Sequence, residues 1–130
     1  MIGQSGCDVL GVVVTERYES VRHQLVRLLQ NRKFILPKFS EMPYDWRPEQ
    51  VINPIDCQPF TRRGALHFIQ EQLENGCAIE AVVLDLPPGR TAYVMLLDVG
   101  RDKPDLYVKV QLGGGCVIGR SFHYSTRPVR

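Results

Sequence analysis

The stretch "DLYVKVQLGGGCVIGRSFHY", residues 105–124, decides how this chain is read. Leu106, Val108, Val110 and Leu112 alternate with Tyr107, Lys109 and Gln111, the period of two expected of a strand with one face on a core. The glycine triplet 113–115 is a tight hairpin turn. It lacks the following Lys-Ser/Thr and helix of a phosphate loop. The returning run, "CVIGRSFHY" (116–124), reads as a second strand that can face two ways. With Ile118 and Phe122 inward, Ser121 and His123 stand beside Tyr107 and Lys109; a bulge at Gly119 swaps that assignment. The polar residues gathered here fit either a solvent-facing sheet surface or a site for an anion such as RNA.

Outward from this hairpin, "TAYVMLLDV" (91–99) supplies a third strand, joined through "GRDKP". Upstream, Thr61 caps a helix, "RRGALHFIQEQLENG", whose buried stripe is Ala65, Phe68, Ile69 and Leu73 and whose stop is Gly76. His67 lies near the edge of that stripe, where a packed or solvated histidine is the ordinary reading. In "CAIEAVVLDLPPG" (77–89) the β-branched residues suggest a strand. Ile79, Val82, Val83 and Leu86, however, fall at i, i+3, i+4 and i+7, which predicts a short helix ended by Pro87-Pro88-Gly89.

At the N-terminal side, "VLGVVV" (9–14) reads as a short strand or an extended lead-in. Thr15 then caps an amphipathic helix over 16–32, with Tyr18, Val21, Leu25, Leu28 and Leu29 inward. Arg17, Arg22, Arg27 and Arg32 line its other face, either as a solvated row or against RNA. From 35 to 59 a proline arrives every five or six residues, which forbids a long helix or a central strand. Phe39, Tyr44, Trp46 and Ile55 make this too apolar for a disordered linker; it reads as a loop pinned across the core by its aromatics, or a segment that binds a partner. The fold class expected is α+β: a two-layer sandwich of N-terminal helices on a C-terminal antiparallel meander of three strands, four if the N-terminal run joins.

The 130 residues are 44% hydrophobic and 23% charged, which suits one domain over 1–130 with a real core. Net charge is only +2, but it is unevenly spread. Residues 16–47 hold seven Lys/Arg against four acids and 101–130 hold six against two, while 65–100 hold five acids and one arginine, Arg90. A local basic face on a nearly neutral protein is the consequence. The four cysteines, at 7, 57, 77 and 116, show no metal-motif spacing. With no secretory signal they read as reduced thiols of a cytoplasmic protein and no cofactor is called for, a zinc site built from scattered Cys and His being the less favoured alternative. No apolar run approaches the roughly 20 residues that span a bilayer, so no membrane is expected as a partner.

From the second helix onward the chain resembles the mRNA-interferase toxins of the motility-quorum-sensing-regulator (MqsR) type, among the RelE-like ribonuclease toxins. The pieces that carry the resemblance are "RRGALHFIQEQLENG", "AVVLDLPPGRTAYVM", "LYVKVQL" and "VIGRSFH", collinear over roughly residues 61–125. It implies a RelE-like sandwich in 61–130, with 1–60 a helix plus proline-rich extension that has no counterpart in the family. It also implies an endoribonuclease that cuts single-stranded mRNA without a metal and is held silent by an antitoxin protein. The family's strand tyrosine falls on Tyr107, its following lysine on Lys109, and the basic residue after Ser-Phe on His123. Two family lysines are missing: one position holds Val94, and the other falls near Ser125.

Cleaving RNA requires that the 2′-hydroxyl lose a proton, the leaving 5′-oxygen gain one, and the phosphorane charge be stabilised. His123 is suited to proton transfer near neutrality, with Tyr107 and Lys109 as its catalytic companions. Arg90, Arg120 and Arg22 are the candidate phosphate-binding cations. Ser121 reads as a strand residue, since no nucleophile elbow surrounds it. Two other readings stay open: a non-catalytic interaction module that keeps the toxin fold, and a small-molecule domain with its pocket between sheet and proline loop. A homodimer is a further option.

Overall fold

Leu106, Val108 and Val110 have their side chains almost wholly buried, as the alternation in their strand requires. The computed structural model describes residues 19–36, 45–84 and 89–125, and these form two helices against a mixed, open, six-stranded sheet. The first helix, α1, is helical over residues 19–30. Strands β1 (Phe34–Ile35) and β2 (Asp45–Trp46) follow, then a short turn of 3₁₀ helix at Pro48–Gln50 and helix α2 (Arg62–Glu74). Strands β3 (Glu80–Val83), β4 (Thr91–Leu97), β5 (Leu106–Gly113) and β6 (Cys116–Tyr124) complete the order. Among the described residues no helix is long and apolar enough to cross a membrane.

The coarse α+β expectation holds, but the sheet is larger than a three-stranded meander. Strands β3 to β6 pair antiparallel in sequence order, and β1 and β2 both add in parallel to the remaining edge of β6. In the described part of the short helix expected over 79–86, residues 80–83 form strand β3 instead. Its residues pair with β4 from Glu80↔Val94 to Val83↔Thr91. Between the stop at Gly76 and Pro87 there is too little chain for a stable helix, and β-branched residues gain more from a ladder. Val83, assigned to the helical stripe, is 74% exposed on β3. The candidate strand 9–14 lies outside the described residues, as do the Thr15 cap, Arg17, Tyr18, Phe39, Tyr44 and Leu86.

Helix α2 is delimited as its sequence dictates. Thr61 Oγ1 accepts from the Gly64 amide at 2.9 Å. At the other end the Gly76 amide donates to Leu73 O and the Cys77 amide to Gln72 O, with Gly76 at φ +87°. That is a Schellman ending, in which glycine avoids a Cβ clash. The stripe of Ala65, Phe68, Ile69 and Leu73 buries against Met95, Val108, Val110 and Phe122 of the sheet, together with Leu25 and Leu29 of α1. The proline-rich stretch does pack through an aromatic, Trp46. Ile55, in the same stretch, is 69% exposed.

An irregularity in β6 fixes which residues face which way. Lys109 pairs with Ser121 but Val110 pairs with Gly119, so Arg120 is the extra residue of a β-bulge. Phe122 and Val117 consequently both turn into the core, and Ile118, expected inward, pairs with Gln111 on the other face. Gly119 is the gap that admits Trp46: a Cβ there would lie 2.9 Å from two carbons of the indole ring and 3.0 Å from Leu36 Cδ2. The ring is wedged between Phe34 and Phe122, at centroid distances of 5.5 and 5.3 Å, and Phe60 continues the aromatic chain to α2. It therefore has no room to retreat. Gly119→Ala should cost about 1–3 kcal/mol by overpacking; an unchanged urea midpoint would contradict this packing.

Candidate functional site

The face of the sheet away from the helices is assembled by strand register. One row crosses five strands: Glu80 of β3, Val94 of β4, Lys109 of β5, Ser121 of β6 and Asp45 of β2. The neighbouring row holds Leu96, Tyr107 and His123. The row on the other side of Lys109 holds Val82, Ala92, Gln111 and Ile118, with the bulged Arg120 reaching Gln111. This face is not the wet surface that the alternation in β5 suggests. Ala92, Val94, Gln111, Arg120 and Ser121 are buried, whereas Tyr107, Lys109 and His123 are half-buried.

Tyr107 and His123 form a near-parallel, offset stack, with centroids 5.3 Å apart and planes 18° from parallel. The Nδ1 of His123 is 2.8 Å from its acceptor, the Tyr124 carbonyl. Its Nε2 lies 3.4 Å from Asp45 Oδ2. Both ring nitrogens thus face acceptor oxygens. Asp45 is held in turn by Arg47 Nε. The side chains of His123 and Asp45 are 27% and 34% exposed, so the cluster remains open to a ligand. Burial pushes the Tyr107 hydroxyl above its ordinary value, and the charge of Glu80 pushes it the same way. Tyr107 is therefore a hydrogen-bond donor at neutral pH and not a base.

The three candidate phosphate-binding arginines do not converge here. Arg120 is 2% exposed and its Nη1 donates to Gln111 Oε1 at 3.2 Å, which makes it part of the sheet's own packing. Arg90 sits exposed just before β4, where its carbonyl accepts from the Leu84 amide to close the β3–β4 hairpin. It is six residues from Leu96, which pairs with Tyr107, so the two backbones stand roughly 20 Å apart along the strand. Arg22 belongs to the helical layer: its Nη1 donates to the Leu73 carbonyl at 3.0 Å and its Nε to Glu19. There it ties α1 to the end of α2. Burial raises the Cys77 thiol pKa, partly offset by the nearby Arg22 charge and hydrogen bond.

What residue-by-residue reading missed is the pair Asp45 and Arg47. The available signal was the polar-aromatic-polar alternation of "DWR" between two prolines, which marks a short edge strand. Among the described residues no cluster of His, Cys, Asp and Glu could hold a metal ion. Comparison with protein-family models, with curated proteins and with solved structures finds no match to this chain.

The raised Tyr107 value has a measurable consequence. A group harder to ionise in the folded state contributes stability that is complete below its unfolded value of 10.0 and is lost as pH rises through the folded one. Cys77 acts in the same direction from 9.0, so the variant isolates the tyrosine's share. Tyr107→Phe should make the alkaline fall in urea midpoint shallower than in wild type. Superimposable pH profiles would show that Tyr107 is not in this environment.

Proposed function

We propose that this protein is a metal-independent endoribonuclease of the RelE-like toxin kind, acting on single-stranded RNA at the Tyr107–His123 end of the sheet face. The observation that supports this reading best is the stack of Tyr107 on His123, with Asp45 at Nε2 and Lys109 in the adjoining row. In this reading Nε2 of the imidazolium gives its proton to the leaving 5′-oxygen, and the Asp45 carboxylate receives the proton of the 2′-hydroxyl. The 2′-oxygen bonds to phosphorus as the bond to the 5′-oxygen breaks, leaving a 2′,3′-cyclic phosphate and a free 5′-hydroxyl. Lys109 and Arg47 are the cations within reach of the phosphorane, taking the role that Arg90, Arg120 and Arg22 are too distant or too enclosed to fill. Tyr107, kept neutral, donates to a ribose or phosphate oxygen. A toxin of this kind travels with an antitoxin protein and acts in the cytoplasm.

A second reading, a non-catalytic interaction module on the same fold, is favoured by the charge balance of the face. Glu80 and Asp45 bracket Lys109 in one row, and buried Val94 stands between Glu80 and that lysine. Cleavage of a long single-stranded RNA in EDTA separates the two. Wild type should cut, His123→Ala should lose on the order of 10²-fold or more, and Lys109→Ala should lose activity as well. Intact RNA from folded wild-type protein would remove the enzymatic reading and leave the module.

A further inference from the structure

On the helix side of the sheet, away from the His123 face, the last turn of α1, strand β1 and the first turns of α2 wall a cavity of about 690 Å³. That is within the range of roughly 300–1,000 Å³ typical of ligand clefts. Its apolar lining is Leu29, Phe34, Leu36 and Leu66. Its charged lining is Arg32, Arg62 and Arg63, all exposed, and among the described residues none of them makes an ion pair. The polar groups at the far side of the cavity are already engaged. His67 lies 3.5 Å from Glu71, and Gln30 and Gln70 both donate to Glu74.

Arg32 adds a second, independent sign. Helix α1 ends as α2 does: the Arg32 amide donates to Leu29 O and the Lys33 amide to Leu28 O. The left-handed position that α2 gives to Gly76 is here held by arginine, at φ +58°. A side chain in that conformation is disfavoured by about 1–2 kcal/mol, and such strain gathers where a side chain serves a function. It places a guanidinium on the rim where glycine would be the cheaper residue.

From the apolar floor and the arginine rim, which among the described residues forms no ion pair, we infer that this groove docks an acidic, amphipathic peptide segment of a partner protein. Two or more large apolar side chains seat on Leu29, Phe34, Leu36 and Leu66, and Asp or Glu residues beside them meet Arg32, Arg62 and Arg63. The floor disfavours RNA as the occupant. Three of its four residues are aliphatic, and the ring of the fourth, Phe34, already packs on Trp46, so no free aromatic platform is offered to bases. The site shares no residue with the ribonuclease reading and stands or falls apart from it.

Random peptides displayed on phage and selected against the full chain test this directly, with binding of the enriched peptides then read by fluorescence anisotropy. Enriched sequences should carry excess Asp and Glu with at least two large apolar residues, and salt should weaken their binding. The double variant Arg62→Glu/Arg63→Glu should lose about tenfold or more in affinity. Arg32→Gly, which relieves the backbone, should keep or raise thermal stability while also weakening binding. The proposal is overturned by an absence of enrichment, by enriched peptides that are neutral or basic, or by equal affinity for the variants. It is equally overturned if a labelled single-stranded RNA displaces the peptides from the groove.

Discussion

The absence of a side chain at Gly119 is the constraint on which the rest of the structure depends. It opens the space into which Trp46 packs, and Trp46 is what anchors β2 beside β6. With only two residues, β2 has little backbone pairing to hold it, and the buried indole between Phe34 and Phe122 adds packing to that pairing. The same position adjoins the bulge at Arg120, which lets Val117 and Phe122 both reach the core despite their odd spacing. One glycine thus sets both the edge of the sheet and the facing of its last strand.

The candidate site follows from that arrangement. Once Trp46 is seated inward, the period of two turns Asp45 outward, next to Ser121, and brings it to His123 Nε2. The bulge leaves Ser121 and His123 in register with Lys109 and Tyr107. Five strands then contribute to one row of mixed charge, in which Glu80 and Asp45 at the ends flank Val94, Lys109 and Ser121. Such a face does not attract nucleic acid by bulk positive potential. If it handles RNA, it does so by local geometry: a ring to donate, a stacked phenol and cations held next to carboxylates.

Much of the scaffold was legible in the residues themselves. The Thr61 cap, the Gly76 stop and the glycine turn each rest on a local rule that held, and the alternation of 106–112 held in facing, although Gln111 on the outward face is buried and Leu112 only half-buried. The turn illustrates this well, since Gly114 and Gly115 both adopt positive φ, at 61° and 73°, as a two-residue hairpin demands. Strand β3 was misread because an accidental helical spacing competed with β-branched content over too few residues. Arg22, Arg90 and Arg120 were grouped by charge alone, and strand register and helix packing carry them to three different places. Asp45 and Arg47 escaped notice because their importance comes from pairing with β6, more than seventy residues away in sequence, which no local pattern encodes.

The most direct test of this account is a two-dimensional proton NOE spectrum of the full chain in solution. Cross-peaks from the Trp46 indole to the Gly119 α-protons, together with cross-peaks between the Tyr107 and His123 rings, are what the account predicts. Their joint presence would mean that the indole seat and the stacked pair exist together in one fold. If the Trp46 contact is seen without the ring pair, the site does not follow from the seat. If the Trp46–Gly119 contact is itself absent, β2 is not anchored as described and the central claim is contradicted.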